Sequence, residues 1–281
     1  MKVSGRVVAD TILQNLQSQI LKKILKPKLA IIMTGEDPAS RLYVNMKIKA
    51  AQRIGVEIAF FEFLESQLSL CEDTLYKLDD DKSVHGIIIQ YPIYKGWDFE
   101  KLSNLVSLEK DVDGFLPESP FKGATALGVW EMLKAFANID GFTVEEFLRS
   151  KSVVLLGKGR TAGGPIRQVL EANGVKYSLI DSKTENSEHL IKNADVIISA
   201  TGRKNIITGD KIKEGSFVIG VGVGKEEGKI FGDIEEESVS EKAKLYCPTI
   251  GGIGPLTIAC LLRNVVESAG RSSQGTVNRV Q

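Results

Sequence analysis

Twice along the chain, short β-branched runs alternate with amphipathic stretches, and an alternation of that kind leaves little room for anything but an α/β fold. In the first half, "PKLAIIMTG", "VEIAFFEF" and "VHGIIIQYPI" are separated by a helical pattern over residues 40–56 and another around "LCEDTLYKL". Continuous short apolar runs predict strands covered on both faces, and alternation with helices predicts a parallel sheet with crossover connections. A second series begins near Ser152: "SVVLLGKG", a helix from about Gly164 to Asn173, "KYSLID", a short helix, "ADVIISATG" and "GSFVIGVGV". Between the two, "GVWEMLKAFANI" reads as a connecting helix, which places a domain boundary between residues 120 and 140. "LTIACLLRNVVESA", from Leu256 to Ala269, predicts a strongly apolar helix, and the polar "GRSSQGTVNRVQ" after it predicts a frayed tail.

With 281 residues the chain can form two ordinary domains. Its 36 basic and 36 acidic side chains balance, so no overall field favours nucleic acid or an anionic membrane. Cys71, Cys247 and Cys260 are scattered and odd in number, which argues against a disulfide framework, and with His85 and His189 they offer no metal-ligand spacing. The start, "MKVSGRVVAD", has no hydrophobic signal core, and no uninterrupted apolar run approaches the roughly 20 residues that span a bilayer. These features predict a soluble cytoplasmic protein without a metal.

Within "SRLYVNMKIKAAQRIGV", a helical period of about 3.6 puts Tyr43, Val44, Lys47, Ile48, Ala51 and Ile54 on one stripe, with Lys47 near its middle. An ammonium there either snorkels or faces a polar cavity. Tyr43, one turn earlier, can set a phenol beside it, and burial lowers a lysine's proton affinity towards the range useful for acid/base work. Gln90 ends the third apolar run, at the strand edge where ligands of open α/β sheets bind, although a strand-end amide is equally at home there. "EKDVDGF" adds Asp111 and Asp113 in a turn, a common structural motif by itself. Together, Lys47, Gln90 and Asp113 form a set suited to holding a heterocycle with donors and acceptors.

In the second half, "VVLLGKGRTAGGPIRQVL" puts Gly157, Gly159, Gly163 and Gly164 between a strand and a helix, where a dinucleotide phosphate loop belongs. The spacing is not the regular GxGxxG, and a ligand-free glycine turn has the same look. Asp181, ending the next strand, sits where an acidic residue often meets the adenosine ribose. "SATGRKNII" ends a third strand at Thr201 and Gly202, suited to a close approach to a nicotinamide ribose.

The stretches "GEDPASRLYVNMKIKAAQRIGV", "VHGIIIQYPI", "KDVDGF", "GKGRTAGGP", "ADVIISATG", "FGDI" and "GGIGPLT", in this order, resemble the bifunctional methylenetetrahydrofolate dehydrogenase/methenyltetrahydrofolate cyclohydrolase family. The resemblance implies an N-terminal α/β folate domain over residues 1–125, with a C-terminal helix, 256–270, packing back on it. It implies a Rossmann-type NAD(P)-binding domain over 126–255, a cleft between the two, and a flexible tail over 271–281. Lys47 would be the principal polar catalyst of cyclohydrolysis, with Gln90 tuning its protonation and Tyr43 positioning it at the substrate. Asp113 would anchor the pterin, and Gly252 and Pro255 would line the folate site. Gly157, Lys158, Gly159, Gly163, Ser182, Lys183, Thr201 and Gly202 would hold NADP, with NAD as the competing choice. The family habit is a homodimer, and the partners expected are tetrahydrofolate derivatives, with no nucleic acid and no membrane.

Some positions depart from the family pattern. Lys158 and Gly159 stand for an arginine and a serine, Gly220 for an aspartate, Ile250 for a proline, and "GATALG" lacks two prolines. Because these cluster on the cofactor side, a cyclohydrolase with a decayed dehydrogenase is the nearest rival reading. A folate- or nucleotide-binding protein without catalysis is the other.

Overall fold

The computed structural model describes residues 1–35, 37–226 and 229–277. The chain divides into two compact units, one of Thr11–Ala124 with the chain from Ile258 onward, the other of Met1–Asp10 with Thr125–Thr257.

The first unit is built on α1 (Gly5–Lys23), β1 (Lys28–Thr34), α2 (Pro38–Ile54), β2 (Glu57–Phe63), α3 (Leu68–Asp80), β3 (Gly86–Gln90) and the short α4 (Phe99–Ser103). Helix α1 is absent from the sequence reading, although Ala9, Leu13, Leu16 and Ile20 supply its buried stripe at helical spacing. The three strands are parallel in the order β2-β1-β3. Central β1 is buried from Leu29 to Thr34, and β3 is buried throughout. β2 is not covered on both faces as its apolar run suggests. It forms an edge, alternately shielded and open, with Phe60 exposed.

Helix α2 starts where Asp37 caps it, its carboxylate accepting from the Ser40 amide at 2.8 Å, with Pro38 in the first turn. Such a cap contributes about 1 kcal/mol. The helix buries Ser40, Val44, Lys47, Ala51 and Ile54.

The second unit contains α5 (Ala124–Ile139), α6 (Val144–Arg149), β4 (Val153–Leu156), α7 (Gly163–Ala172), β5 (Ser178–Ile180), α8 (Ser187–Asn193), β6 (Val196–Ser199), β7 (Phe217–Gly220), β8 (Val223–Glu226), β9 (Lys229–Gly232), α9 (Glu236–Lys242) and β10 (Leu245–Cys247). Five strands form a parallel sheet in the order β10-β7-β6-β4-β5. The chain leaves β4 towards β5 on one side and returns to β6 on the other, which makes the β4/β6 boundary the switch point of a doubly wound sheet. The antiparallel pair β8–β9, α6, α9 and β10 are further elements that the sequence reading does not anticipate.

The first residues group with the second unit, where the sequence reading assigns them to the first. The Val3 amide donates to the Tyr246 carbonyl at 2.8 Å and the Tyr246 amide to the Met1 carbonyl at 3.0 Å, so the chain start extends the β10 edge. An unpaired strand edge is a costly end to a sheet, and this pairing satisfies it.

The last helix, α10, runs Gly254–Val277, longer than the stretch ending at Ala269 that its apolar pattern predicts. An ion pair between Arg271 and Glu267 at 2.6 Å supports its polar end, as do back-bonds from Ser272 to the Ser268 carbonyl and Ser273 to the Ala269 carbonyl. Residues 278–281 of the expected tail lie outside the described residues. By length and composition the stretch Thr249–Ser273 is apolar enough to cross a bilayer, but 72% of its most apolar 18-residue window is buried within the protein, as in a core helix.

Candidate functional site

At the carboxyl edge of the first sheet, Lys47 is only 5% exposed. Its ammonium donates to Gln90 Oε1 at 2.9 Å, across from α2 to the last residue of β3. The amide of Gln90 is oriented by its own Nε2, which donates to the Tyr91 carbonyl at 2.8 Å, so its oxygen is the end that meets the lysine. The ammonium lies 5.1 Å from the ring centroid of half-buried Tyr43. The ammonium is thus within cation–π range of the tyrosine ring, and such contacts contribute about 1–2 kcal/mol.

Burial pushes the Lys47 proton affinity down, opposed by the carboxylate of Asp113. Burial likewise pushes the Asp113 carboxyl up, opposed by the Lys47 ammonium. The two groups therefore sense each other in a poorly solvated pocket, where neither charge is held as firmly as in water.

The loop that carries Asp113 is braced from both sides. Asp111, buried, accepts from the amides of Phe115 at 3.2 Å and Leu116 at 2.8 Å, so of the two aspartates in "KDVDGF" it is the structural one. On α10, Asn264 donates to the carbonyls of Val112 at 2.8 Å and Lys122 at 3.2 Å, and Ser268 to that of Glu109 at 3.1 Å. Asn264 is missed by sequence reasoning, yet it is a polar side chain inside an apolar helical run, the same kind of signal that singles out Lys47.

In the second unit, a glycine cradle occupies the switch point. Gly157 has φ +94°, and a β-carbon there would lie 2.3 Å from the Ala200 carbonyl oxygen; one at Gly163 would lie 2.3 Å from the Gly157 oxygen. Both positions need a bare backbone. Nothing lies within 4 Å of where a side chain at Gly159 would begin, and no side chain caps the N-terminus of α7. An open backbone loop feeding an uncapped helix start fits a dinucleotide's phosphates, through backbone amides and the helix dipole.

Beside the loop, exposed Lys158 donates to Asp181 at 2.8 Å. The lysine, with the amide of Lys183 and the hydroxyl of Thr184, holds the Asp181 carboxyl down to about 2. Ser182 and Lys183 are exposed in the turn after β5, and Thr201 and Gly202 are half-buried in the turn after β6. Gly252 is buried, its carbonyl oxygen 1.8 Å from where a side chain at Gly5 would begin. Pro255 stands in the first turn of α10, where a missing amide proton costs little. At one departure from the family pattern, a β-carbon at Gly220, in place of the aspartate, would lie 2.5 Å from Thr249 Oγ1, so the threonine fills the space that a side chain at 220 would need. Among the described residues, no group of three or more His, Cys, Asp or Glu side chains is placed to hold a metal ion.

A small parallel α/β unit with a buried lysine, followed by a doubly wound unit with a phosphate-type loop, defines a two-unit α/β protein whose second unit is built like a dinucleotide-binding domain. Residues 3–113 match the description "Tetrahydrofolate dehydrogenase/cyclohydrolase, catalytic domain", and residues 123–273 match its "NAD(P)-binding domain". The bifunctional protein FolD of Caldanaerobacter subterraneus subsp. tengcongensis is 33% identical over 277 residues, 95% of this chain and 96% of that one. The crystal structure of the bifunctional FolD enzyme of Campylobacter jejuni superposes with a TM-score of 0.87 at 34% identity, covering 96% and 99% of the two chains. That of the Trypanosoma brucei methylenetetrahydrofolate dehydrogenase-cyclohydrolase, complexed with NADP and an inhibitor, gives 0.88 at 26% identity over 97% and 98%. The chain belongs to the tetrahydrofolate dehydrogenase/cyclohydrolase family.

Proposed function

We propose that the protein is a bifunctional enzyme of one-carbon metabolism. It oxidises 5,10-methylenetetrahydrofolate to 5,10-methenyltetrahydrofolate with NADP and hydrolyses the product to 10-formyltetrahydrofolate. The observation that carries the reading is Lys47, a buried ammonium on Gln90 in the field of Asp113, in a family whose relatives bear the bifunctional name.

Hydrolysis asks most of the side chains. Water adds to the cationic methenyl carbon and must lose a proton, and the ring nitrogen must gain one as its bond to that carbon opens; one proton is released overall. Lys47, its proton affinity lowered by burial, takes the first proton and returns it to the nitrogen. Gln90 Oε1 holds the ammonium in line, Tyr43 lies against it and the substrate, and Asp113 accepts from the pterin ring donors.

A bound nicotinamide would take the hydride from the methylene carbon. For that step the chain supplies alignment alone: Gly157, Gly159 and Gly163 receive the phosphates on backbone, and Thr201 and Gly202 approach the ribose. Lys158, with Ser182 and Lys183, faces the 2'-phosphate. NADP is preferred, but by a narrow margin over NAD, because Lys158 is already paired with Asp181 and two lysines lack the bidentate fork of arginine. The working form is a cytoplasmic homodimer, which light scattering on the purified protein tests by mass.

The direct test of the hydrolytic half is the decay of methenyltetrahydrofolate absorbance with no dinucleotide present. Decay far above the spontaneous rate supports the reading, and decay at the spontaneous rate removes it.

A further inference from the structure

Asp233, immediately after β9, is 0% exposed. Its carboxyl group accepts three hydrogen bonds, all from five consecutive residues at the end of β6. Ser199 Oγ and the Thr201 amide donate to Oδ2, each at 2.7 Å, and the Arg203 amide donates to Oδ1 at 3.0 Å. The end of β7 closes over the same group: a β-carbon at Gly222 would lie 2.4 and 2.5 Å from the two oxygens and 2.3 Å from the Gly202 amide nitrogen. Three strand ends thus meet around one carboxyl group. The turn they shape is the one against which Gly157 packs, 2.3 Å separating the Ala200 oxygen from where a side chain at 157 would begin.

We infer that Asp233 is a positioning residue of the dehydrogenase site, holding the 199–203 turn in the shape that receives the dinucleotide before it binds. This rests on the reading of the second unit as a nicotinamide site. Backbone amides drawn from water must find acceptors: those of Thr201 and Arg203 meet this one buried group, the Arg203 amide also reaching Thr201 Oγ1 at 3.2 Å, while the Ala200 amide donates to the Leu156 carbonyl at 2.8 Å, so the turn is pinned at both ends. A turn with one shape loses no conformational freedom when a ligand arrives. Both oxygens are used. An asparagine, however it turns, sets its NH2 against a donor; its better orientation keeps Thr201 satisfied and leaves the Arg203 amide facing another donor.

Asp233→Asn and Ser199→Ala in the full chain test this with three measurements: calorimetric affinity for NADP, hydrolysis of methenyltetrahydrofolate without dinucleotide, and Tm. Asp233→Asn should weaken NADP binding by at least about tenfold, on the scale of small misplacements at reacting centres, with hydrolysis within about twofold of the parent. Ser199→Ala leaves both backbone amides on the carboxyl group and should change NADP affinity by less than about threefold, the loss of one modest hydrogen bond. Unchanged NADP affinity in Asp233→Asn overturns the inference, as does a parallel loss of affinity, hydrolysis and Tm, which marks a purely structural residue. Should Asp233→Asn fail to fold, amide hydrogen exchange in the parent protein decides. Protection of Thr201 and Arg203 before dinucleotide is added supports the inference, and rapid exchange overturns it. A parent that binds neither dinucleotide counts against the proposed function, and the exchange experiment still reports on the turn.

Discussion

Lys47 occupies a position where methionine would pack as well, so its amine is retained against a burial cost of several kcal/mol. Its proton affinity is lower folded than unfolded, which penalises folding below the folded-state pKa; the penalty fades as pH rises to the ordinary lysine value of 10.5. Lys47→Met should therefore leave Tm at neutral pH unchanged or raised, checked by calorimetry, and a drop of several degrees would mean that the amine is structural. The carboxylate of Asp113 is what holds the Lys47 proton affinity up against burial. Asp113→Asn removes that support, so the limb of the hydrolytic pH-rate profile that reports deprotonation of Lys47 should move to lower pH. An unmoved limb, in kcat at saturating methenyltetrahydrofolate, would show that the two groups do not interact. Asp113→Ala should chiefly weaken folate binding by calorimetry, because an unmet acceptor leaves ring donors unpaired. At this scale the sequence was most informative where a polar residue broke an apolar pattern: Lys47 and Gln90 stood out, and they touch. Lys158 and Asp181 each stood out too, but their pairing did not, because a distance between two turns leaves no trace in spacing.

Among the elements, the loop from β4 into α7 carries the sharpest expectation. Gly157→Ala would force an alanine to φ +94° and its β-carbon to 2.3 Å from the Ala200 oxygen. Strain of this kind costs about 1–3 kcal/mol, and dinucleotide binding should be lost while methenyltetrahydrofolate hydrolysis persists; retention of NADP affinity by titration would contradict the role of the loop. In the proposed function the Lys158–Asp181 pair sets the margin between NADP and NAD. With its carboxyl held down to about 2, Asp181 is ionised at every working pH and competes with a 2'-phosphate for the lysine. Asp181→Asn should raise kcat/KM for NADP relative to NAD, by about tenfold at low salt and less at high salt. A ratio that stays put would remove Asp181 from cofactor choice. The central strands were legible because β1, β3, β4, β6 and β7 are continuous apolar runs. The β8–β9 pair was not, since "VGKE" and "KIFG" are mostly exposed and carry no period. β10 was hidden by its three-residue length.

For the whole molecule, the sequence conveyed two α/β units, and the resemblance implied that the C-terminal helix belongs with the first of them, but nothing in the sequence conveyed that the chain start groups with the second. Met1 to Val3 pair with β10 at Tyr246, a long-range pairing set by tertiary contacts alone, and α10 braces the Asp113 loop through Asn264. Under the proposed function the two reactions are separable, because hydrolysis would depend on Lys47 in one unit and oxidation on the glycine cradle in the other. One absorbance time course tests this most directly, started from 5,10-methylenetetrahydrofolate and NADP and run on the parent protein and on Lys47→Met. The parent should form methenyltetrahydrofolate and clear it, whereas Lys47→Met should form it and let it accumulate, with hydrolysis slowed at least about a hundredfold. Clearance by Lys47→Met at the parent rate, or no methenyl signal from the parent with either nicotinamide cofactor, would contradict the proposed function.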